Sequence, residues 1–225
     1  NSSVTDIFRN EYLSPRSPYT TLQIPKQGIG EWCHPLHTVD INDAGLRSSV
    51  QNGILNTELG IPFRTPAEGH NVAFTSLWDN YPDSLEIPLK GKASRAYLLM
   101  AGSTNHMQCH IDNGVIRIYY KDGTRDVMFL RNPDNWPPIE HIFFEDGLAF
   151  NRHTPALYRL RLKTGEISNN FGEELGFPGA SRELDGGAAV LLEMPLNPGK
   201  KLSHLVLETL SNDVVIGLMS ITLQR

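Results

Sequence analysis

Each of the three tryptophans lies in turn-like sequence with polar neighbours. Trp78 stands in SLWDNYPD, directly before Asp79 and Asn80. Binding residues are often found in such loops, because a rigid scaffold holds them at the surface. An indole ring offers a flat apolar face to the C–H groups of a sugar, and nearby amides and carboxylates can bond its hydroxyls. We therefore predict that Trp78, Asp79 and Asn80 belong to a glycan-binding site.

Two further segments show the same combination of residue types. Trp136 lies in NPDNWPPIEH with Glu140 and His141 close behind it, and Trp32 lies in GEWCHPLH. The two prolines after Trp136 would stiffen its loop, because each fixes its own φ angle. We add Trp136, Glu140, His141 and Trp32 to the predicted binding set. The alternative for each tryptophan is a packing role at one end of the core, with its indole N–H bonded to a loop carbonyl, and the sequence favours this alternative for Trp136.

Histidine and cysteine also cluster, but their spacing predicts no metal site. The clusters are Cys33, His34 and His37, and His106, Cys109 and His110. Zinc accepts this mixture of ligands, yet neighbouring residues of a strand point to opposite faces and make poor joint ligands. The segment from Asp40 resembles a calcium loop, but the EF-hand pattern fails at Ala44 and Gln51. We predict no cofactor, with a structural calcium ion as the alternative, and leave open whether Cys33 and Cys109 form a disulfide.

The carboxylates do not single out a catalytic pair. Glycoside hydrolysis needs two carboxyl groups facing each other across a cleft. Glu31, Asp79, Asp83 and Glu140 are candidates, and none has a spacing that marks it. The sequence contains no G-x-S-x-G elbow, P-loop or dinucleotide fingerprint. We therefore expect a noncatalytic protein, with a hydrolase built around Glu140 as an alternative.

Composition narrows the classes of partner. The chain has 225 residues and a formal net charge of −5, which disfavours nucleic-acid binding. No apolar run is long enough to predict a membrane span. The chain begins at Asn1 without a methionine, so we expect a processed or excised piece. Residues 1–27 are expected to be an arm or linker packed on one domain that spans residues 28–225.

Many short strands must position these loops. Runs of alternating or continuous apolar residues are separated by Gly- and Pro-containing turns, which is typical of all-β proteins. The strongest strand patterns are Ser84–Pro88, Arg95–Met100, Val115–Leu130, Ala188–Met194, Leu202–Leu210 and Val214–Leu223. We predict an antiparallel β-sandwich of the jelly-roll, galactose-binding-like kind with little helix.

Four local predictions follow from these patterns. The stretch Val115–Leu130 should be a hairpin that turns at Asp122-Gly123, since both residues tolerate positive φ angles. The last three strands should form a meander, and Gly217 within the final strand predicts a bulge or a close backbone approach. Residues 42–50 should form one short helix, capped by Asn42 or Asp43.

Four stretches together resemble a known family. They are GIPFRTPAEGHNVAF (Gly60–Phe74), SLEIPLKGKASRAYLLMAGST (Ser84–Thr104), NGVIRIYYKDGTRDVMFLRNPDNWPPIE (Asn113–Glu140) and SNDVVIGLMSITL (Ser211–Leu223). They are similar to a domain of unknown function at the end of large secreted bacterial proteins, which also carry six-hairpin glycosidase-like domains. They are also similar to jelly-roll accessory modules of glycoside hydrolases.

The resemblance implies an extracytoplasmic location and a role beside a glycosidase domain of the same chain. It supplies no catalytic residue. Together with the loop tryptophans it predicts a noncatalytic, carbohydrate-related module that binds a glycan or polysaccharide weakly. A structural domain that braces the neighbouring catalytic domain is the alternative from a different class.

Overall fold

A computed structural model describes residues 16–23, 40–77, 81–105, 108–143, 147–171 and 181–225. In chain order its elements are β1 (Tyr19–Thr20), α1 (Ala44–Ser48), β2 (Val50–Gln51), β3 (Ile54–Asn56), β4 (Pro62–Arg64), β5 (Val72–Ser76), β6 (Ser84–Pro88), β7 (Arg95–Thr104), β8 (Asp112–Tyr120), β9 (Arg125–Arg131), β10 (His141–Phe143), β11 (Arg159–Arg161), β12 (Ile167–Ser168), β13 (Ser181–Glu183), β14 (Ala188–Pro195), β15 (Leu202–Thr209) and β16 (Val214–Gln224). Neighbouring strands pair antiparallel throughout these ranges. The predicted all-β antiparallel class is confirmed.

Two sheets face each other across the main core. The larger sheet has seven strands in the order β1-β5-β16-β7-β14-β11-β12, and the smaller has four in the order β6-β15-β8-β9. Leu98, Met100 and Ile216 from the larger sheet pack with Ile116 and Leu205 from the smaller one, and all five are fully buried. This apolar layer makes the molecule a β-sandwich.

A second apolar cluster covers the other face of the larger sheet. Leu99 and Phe74 from that sheet pack with Leu46 of α1, Leu55 of β3 and Phe63 of β4, and each is almost completely buried. The small sheet β2-β3-β4 therefore lies on the side of the larger sheet away from the sandwich core. Because the larger sheet is covered on both sides, its central strands β5, β7, β14 and β16 are buried along most of their length.

The principal strands pair in a nested order. β8 pairs with β9, β7 with β14, β6 with β15 and β5 with β16. Each pair encloses the previous one in sequence, as in one long hairpin. Successive pairs lie in opposite sheets, so the long hairpin is wrapped around the core.

The predicted meander of the last three strands is wrong. β14 and β16 both belong to the larger sheet and flank β7, whereas β15 lies in the smaller sheet between β6 and β8. The burial patterns give the physical reason. β14 and β16 are buried almost continuously, whereas β15 is buried mainly at alternate positions because its other side faces solvent.

The predicted hairpin is present and turns at Asp122-Gly123, but only one of these two residues has a positive φ angle. β8 and β9 pair across the turn, where the N–H of Gly123 bonds the carbonyl of Tyr120 at 3.1 Å. Gly123 has a φ of 85°, and Asp122 is not among the described residues with positive φ. The Asp122 carboxylate instead accepts the Thr124 N–H at 2.9 Å, which closes the turn from the side.

Two smaller predictions are also resolved. The short helix α1 begins after Asp43, and Asn42 Oδ1 accepts the N–H of Ala44 at 3.0 Å. A Cβ on Gly217 would lie 2.3 Å from the carbonyl oxygen of Ala101, which confirms the close backbone approach.

Tyr19–Thr20, within the predicted arm, form β1 at the edge of the larger sheet. Among the described residues, no helix has the length and apolarity that a membrane crossing requires.

Candidate functional site

The structure describes only part of the predicted binding set. Trp32, Trp78, Asp79 and Asn80 lie outside the described residues. Their roles stay predictions. Trp136, Glu140 and His141 are described: Trp136 and Glu140 lie between β9 and β10, and His141 is the first residue of β10.

Trp136 fills a space in the core and offers no face to a ligand. Its side chain is fully buried within the main apolar cluster. A Cβ on Gly102 of β7 would lie 2.7 Å from Cζ2 of the indole, so the ring packs directly on the bare backbone of that glycine. The predicted indole hydrogen bond is not made, because Nε1 has no partner in the described part of the chain. This position fits the packing role.

Glu140 is also fully buried, and it lies near a buried arginine. Neither carboxylate oxygen accepts a hydrogen bond within the described ranges, and His141 Nδ1 is 3.8 Å from Oε1. Burial lowers the pKa of Arg159 to about 10, while the negative charge of Glu140 opposes the shift. Arg159 therefore stays charged at neutral pH, and its positive charge lies near the Glu140 side chain.

The same arginine fastens the loop that carries Glu140. Its guanidinium donates to the carbonyl oxygens of His141 and Pro138, each at 2.7 Å, and to that of Ala188 at 3.2 Å. These bonds tie residues 138–141 to β11 and β14. Glu140 and Arg159 thus have structural positions between the strands, and the buried Glu140 carboxyl group has no contact with solvent.

The outward side of the four-stranded sheet has a different character. The strand registers align its side chains in three rows, each with one residue from β6, β15, β8 and β9 in that order. The first row contains Pro88, His204, Tyr119 and Arg125, and the second contains Glu86, Val206, Arg117 and Val127. The third row contains Ser84, Glu208, Val115 and Phe129. Within these rows Val115 alone is fully buried. We call the remaining side chains the four-strand face.

An aromatic pair stands in the first row of the four-strand face. The rings of Tyr119 and His204 stack with centroids 4.6 Å apart and planes 13° apart. The guanidinium of Arg125 lies 5.7 Å from the Tyr119 ring centre, and its Nη1 donates to the phenol oxygen at 3.0 Å. Both rings are held by neighbours on the same sheet, so this part of the face is ordered before any ligand arrives.

Apolar side chains stand at the β9 edge of the same face. Val127 and Phe129 are each 42% exposed, which is high for apolar residues on a strand. β9 is the last strand of the four-stranded sheet, so these two side chains lie beside an edge that has no further strand among the described residues. The guanidinium of Arg131 lies 5.6 Å from the Phe129 ring centre.

Charged groups lie on the four-strand face and beside it. Arg117 forms an ion pair with Glu208 on the neighbouring strand. Arg131 at the end of β9 pairs with Asp112 at 2.5 Å, and this bond raises the pKa of Arg131. Aromatic rings, apolar side chains and hydrogen-bonding charged groups therefore share one solvent-facing surface, which sequence reasoning had sought in the loops.

A second group lies beside the start of β8 and the end of β9. His110, Asp134 and His153 each offer one ligand atom, and these atoms all lie within 4.8 Å of one another. Sequence reasoning noticed His110 only together with its near neighbours. Asp134 and His153 are far from it along the chain and carry no local pattern, so only the folded structure brings the three together.

No protein-family model, curated protein or solved structure matches this chain. The resemblance to glycosidase-associated modules therefore stays a prediction.

Proposed function

We propose that this protein is a noncatalytic accessory module that binds a glycan weakly through the four-strand face. The observation that carries the proposal is the placement of Tyr119, His204 and Phe129 on one exposed sheet, beside arginine and glutamate side chains. Exposed rings can pack against the C–H groups of a sugar, while the charged groups bond its hydroxyls. Sheet residues hold such groups more rigidly than loop residues do.

The strand order supports a jelly-roll form of the sandwich. A jelly roll has eight strands in two sheets and contains two Greek keys. Here the nested pairs give four strands in the smaller sheet, and β5, β16, β7 and β14 form the matching run of four in the larger sheet. This arrangement agrees with the predicted resemblance to accessory modules of glycoside hydrolases. An extracytoplasmic location and a neighbouring glycosidase domain in the same chain belong to the same proposal.

A titration against plant and host polysaccharides tests the binding. We expect the variants Tyr119→Ala and Phe129→Ala each to weaken the affinity about 2- to 10-fold, from the roughly 0.5–1.5 kcal/mol that an aromatic contact contributes. Tyr158→Ala is the matched control, because Tyr158 is 38% exposed and lies outside the face. Isothermal calorimetry on each purified variant gives the comparison.

Three outcomes oppose the proposal in different ways. If no polysaccharide binds the unaltered protein, glycan binding is excluded for that panel. If binding occurs and only Trp78→Ala or Trp32→Ala weakens it, the loops carry the site and the four-strand face does not. Equal affinity for Tyr119→Ala and Tyr158→Ala would also remove the face from the proposal.

The bracing role is the second candidate, and the β9 edge favours it. Val127 and Phe129 present exposed apolar surface on β9, whose outer edge pairs with no other strand in the described part of the chain, and a neighbouring domain could cover this surface. The variant Val127→Lys tests the bracing role. It should disrupt domain docking, measured by co-purification with the neighbouring domain, because it places a charge within the exposed apolar surface.

The burial of Glu140 argues against it as the catalytic residue of the hydrolase alternative. Glu140 is fully buried beside Arg159, without the solvent access that a hydrolytic water needs. A turnover assay on aryl glycosides, with Glu140→Gln as the control, would still decide the matter. Turnover that disappears in this variant would contradict a noncatalytic module.

A further inference from the structure

Three segments that are distant in sequence are joined around His110, Asp134 and His153. The N–H of His110 donates to the carbonyl of Asn132 at 2.7 Å. The N–H of His153 donates to Asp134 Oδ1 at 2.7 Å, and the Thr154 hydroxyl donates to the carbonyl of Asp134 at 2.5 Å. The backbone therefore holds these three side chains together before any ligand binds.

The side chains themselves converge. His153 Nδ1 lies 3.3 Å from Asp134 Oδ1, and the centres of the two imidazole rings are 4.9 Å apart. The side chain of His153 is 62% exposed and that of Asp134 is 14% exposed, so the group opens to solvent on one side. His110 has a φ of 57°, a conformation that few residues other than glycine adopt. That backbone conformation is part of what places its imidazole near the other two ligands.

We propose that His110, Asp134 and His153 bind a divalent transition-metal ion of the zinc class, with the fourth tetrahedral position open to solvent. Two imidazoles and one carboxylate are ligands that zinc accepts. Calcium and magnesium prefer sites made entirely of oxygen, so the two nitrogen donors select against them. The site does not depend on glycan binding, because it lies outside the four-strand face.

The distances agree with tetrahedral coordination. Zinc bonds to nitrogen and carboxylate oxygen are about 2.0–2.2 Å long, so neighbouring ligand atoms of a tetrahedron lie roughly 3.3 Å apart. The measured separation of 3.3 Å between His153 Nδ1 and Asp134 Oδ1 matches one edge of that tetrahedron. All the ligand atoms already lie within 4.8 Å of one another, and rotation of the exposed imidazoles can close what remains.

The competing explanation is that Asp134 only pairs with His153. Such a pair would account for the 3.3 Å separation, but it gives His110 no part in the group. A metal site requires both histidines and the carboxylate. The dependence of binding on His110 therefore distinguishes the two explanations.

The test is calorimetric titration of the purified, chelator-treated protein with Zn²⁺ alone. We expect one ion per chain at this site. Loss of a residue that hydrogen-bonds a metal ligand typically lowers metal affinity about 10- to 100-fold. We therefore expect loss of a ligand, in His110→Asn, Asp134→Asn or His153→Ala, to cost at least about tenfold.

The variants are chosen to preserve the fold. Asparagine tolerates the positive φ at position 110, and asparagine at position 134 can still accept the N–H of His153. The exposed His70 lies outside the group, so His70→Ala is the matched control and should bind zinc as the unaltered protein does. Circular dichroism should show unchanged strand content in each variant, and Co²⁺ in place of Zn²⁺ should give the visible absorption of a tetrahedral ion.

The segment with Cys33, His34 and His37 needs its own variant, because it also carries metal-binding residue types. Replacing these three residues together should leave zinc binding at His110, Asp134 and His153 unchanged. The proposal is overturned if the unaltered protein binds no zinc at micromolar concentration. It is also overturned if His110→Asn binds as tightly as His70→Ala, or if only the replacement of Cys33, His34 and His37 removes the binding.

Discussion

Tyr120 connects the β8–β9 hairpin to the turn before β15. Its hydroxyl donates to the carboxylate of Asp126 and accepts the N–H of Asn197 at 2.8 Å. Burial, followed by the hydrogen bond to Asp126, raises the pKa of Tyr120 from 10.0 to about 12. The folded protein therefore favours the neutral phenol.

This shift predicts how stability depends on alkaline pH. Between about pH 10 and 12 the unfolded chain loses the phenol proton while the folded chain keeps it, so stability falls as pH rises. Below about pH 10 the contribution of Tyr120 is fully present. A pH titration of tyrosinate absorbance should show a late step, in which a phenol ionises near pH 12 instead of near pH 10. This late step should be absent in Tyr120→Phe.

The control for the pH effect is an exposed tyrosine. Tyr158→Phe should leave the late titration in place, because Tyr158 is 38% exposed. A late titration that persists in Tyr120→Phe would show that another tyrosine is responsible.

At the scale of elements, two adjacent strands each carry one glycine under an aromatic ring. Gly102 of β7 lies beneath Trp136 on the sandwich side, and Gly217 of β16 lies beneath Phe74 on the other side. Ala101 and Gly102 pair in register with Gly217 and Ile216. The rings therefore fit only because the backbone below them carries no side chain.

Replacement of either glycine should destabilise the protein. A Cβ at position 102 would lie 2.0 Å from the Val215 carbonyl oxygen, and one at position 217 would lie 2.3 Å from that of Ala101. We expect Gly102→Ala and Gly217→Ala each to lower the free energy of unfolding by about 1–3 kcal/mol or more in urea titrations. Gly199→Ala lies in a turn and should cost less than about 0.5 kcal/mol. Similar costs at all three positions would contradict this account.

The sequence predicted individual strands better than it predicted their sheets. The pattern Ser84–Pro88 matches β6 fully, because alternation of polar and apolar residues reports which side of a strand is covered. The sheet assignment of β15 failed because neighbours in sequence were assumed to be neighbours in space. The contrast between alternating β15 and continuously apolar β14 and β16 was visible in the sequence and could have separated them.

The candidate sites show the same limit. Tyr119 and Phe129 occupy outward positions of alternating strands, where an aromatic residue is a readable signal. The metal-ligand group had no such signal, because His110 and His153 meet only through long-range hydrogen bonds. Spacing along the chain reveals a site only when one element carries most of it.

At the scale of the whole molecule, two apolar clusters share one sheet. Leu98 and Leu99 are neighbours on β7, yet Leu98 packs in the sandwich core and Leu99 packs against the outer cluster. Both are completely buried. Because the same strands line both clusters, loss of either cluster should destabilise the shared sheet.

The variants Leu98→Ala and Leu99→Ala test this coupling. Each should cost about 2–5 kcal/mol, and each should lower the temperature of the same single unfolding transition in calorimetry. Leu148→Ala, at a position that is 79% exposed, should leave that temperature nearly unchanged. A separate early transition in Leu99→Ala alone would show that the outer cluster unfolds independently.

The position of β16 between β5 and β7 also constrains how the protein is synthesised. On the ribosome, β5 and β7 emerge long before β16, so the larger sheet cannot be completed until β16 has been synthesised. Before β16 pairs with them, the edges of β5 and β7 that it will cover have backbone groups that can pair with another chain. We therefore expect the incomplete chain to be more prone to aggregation than the finished one.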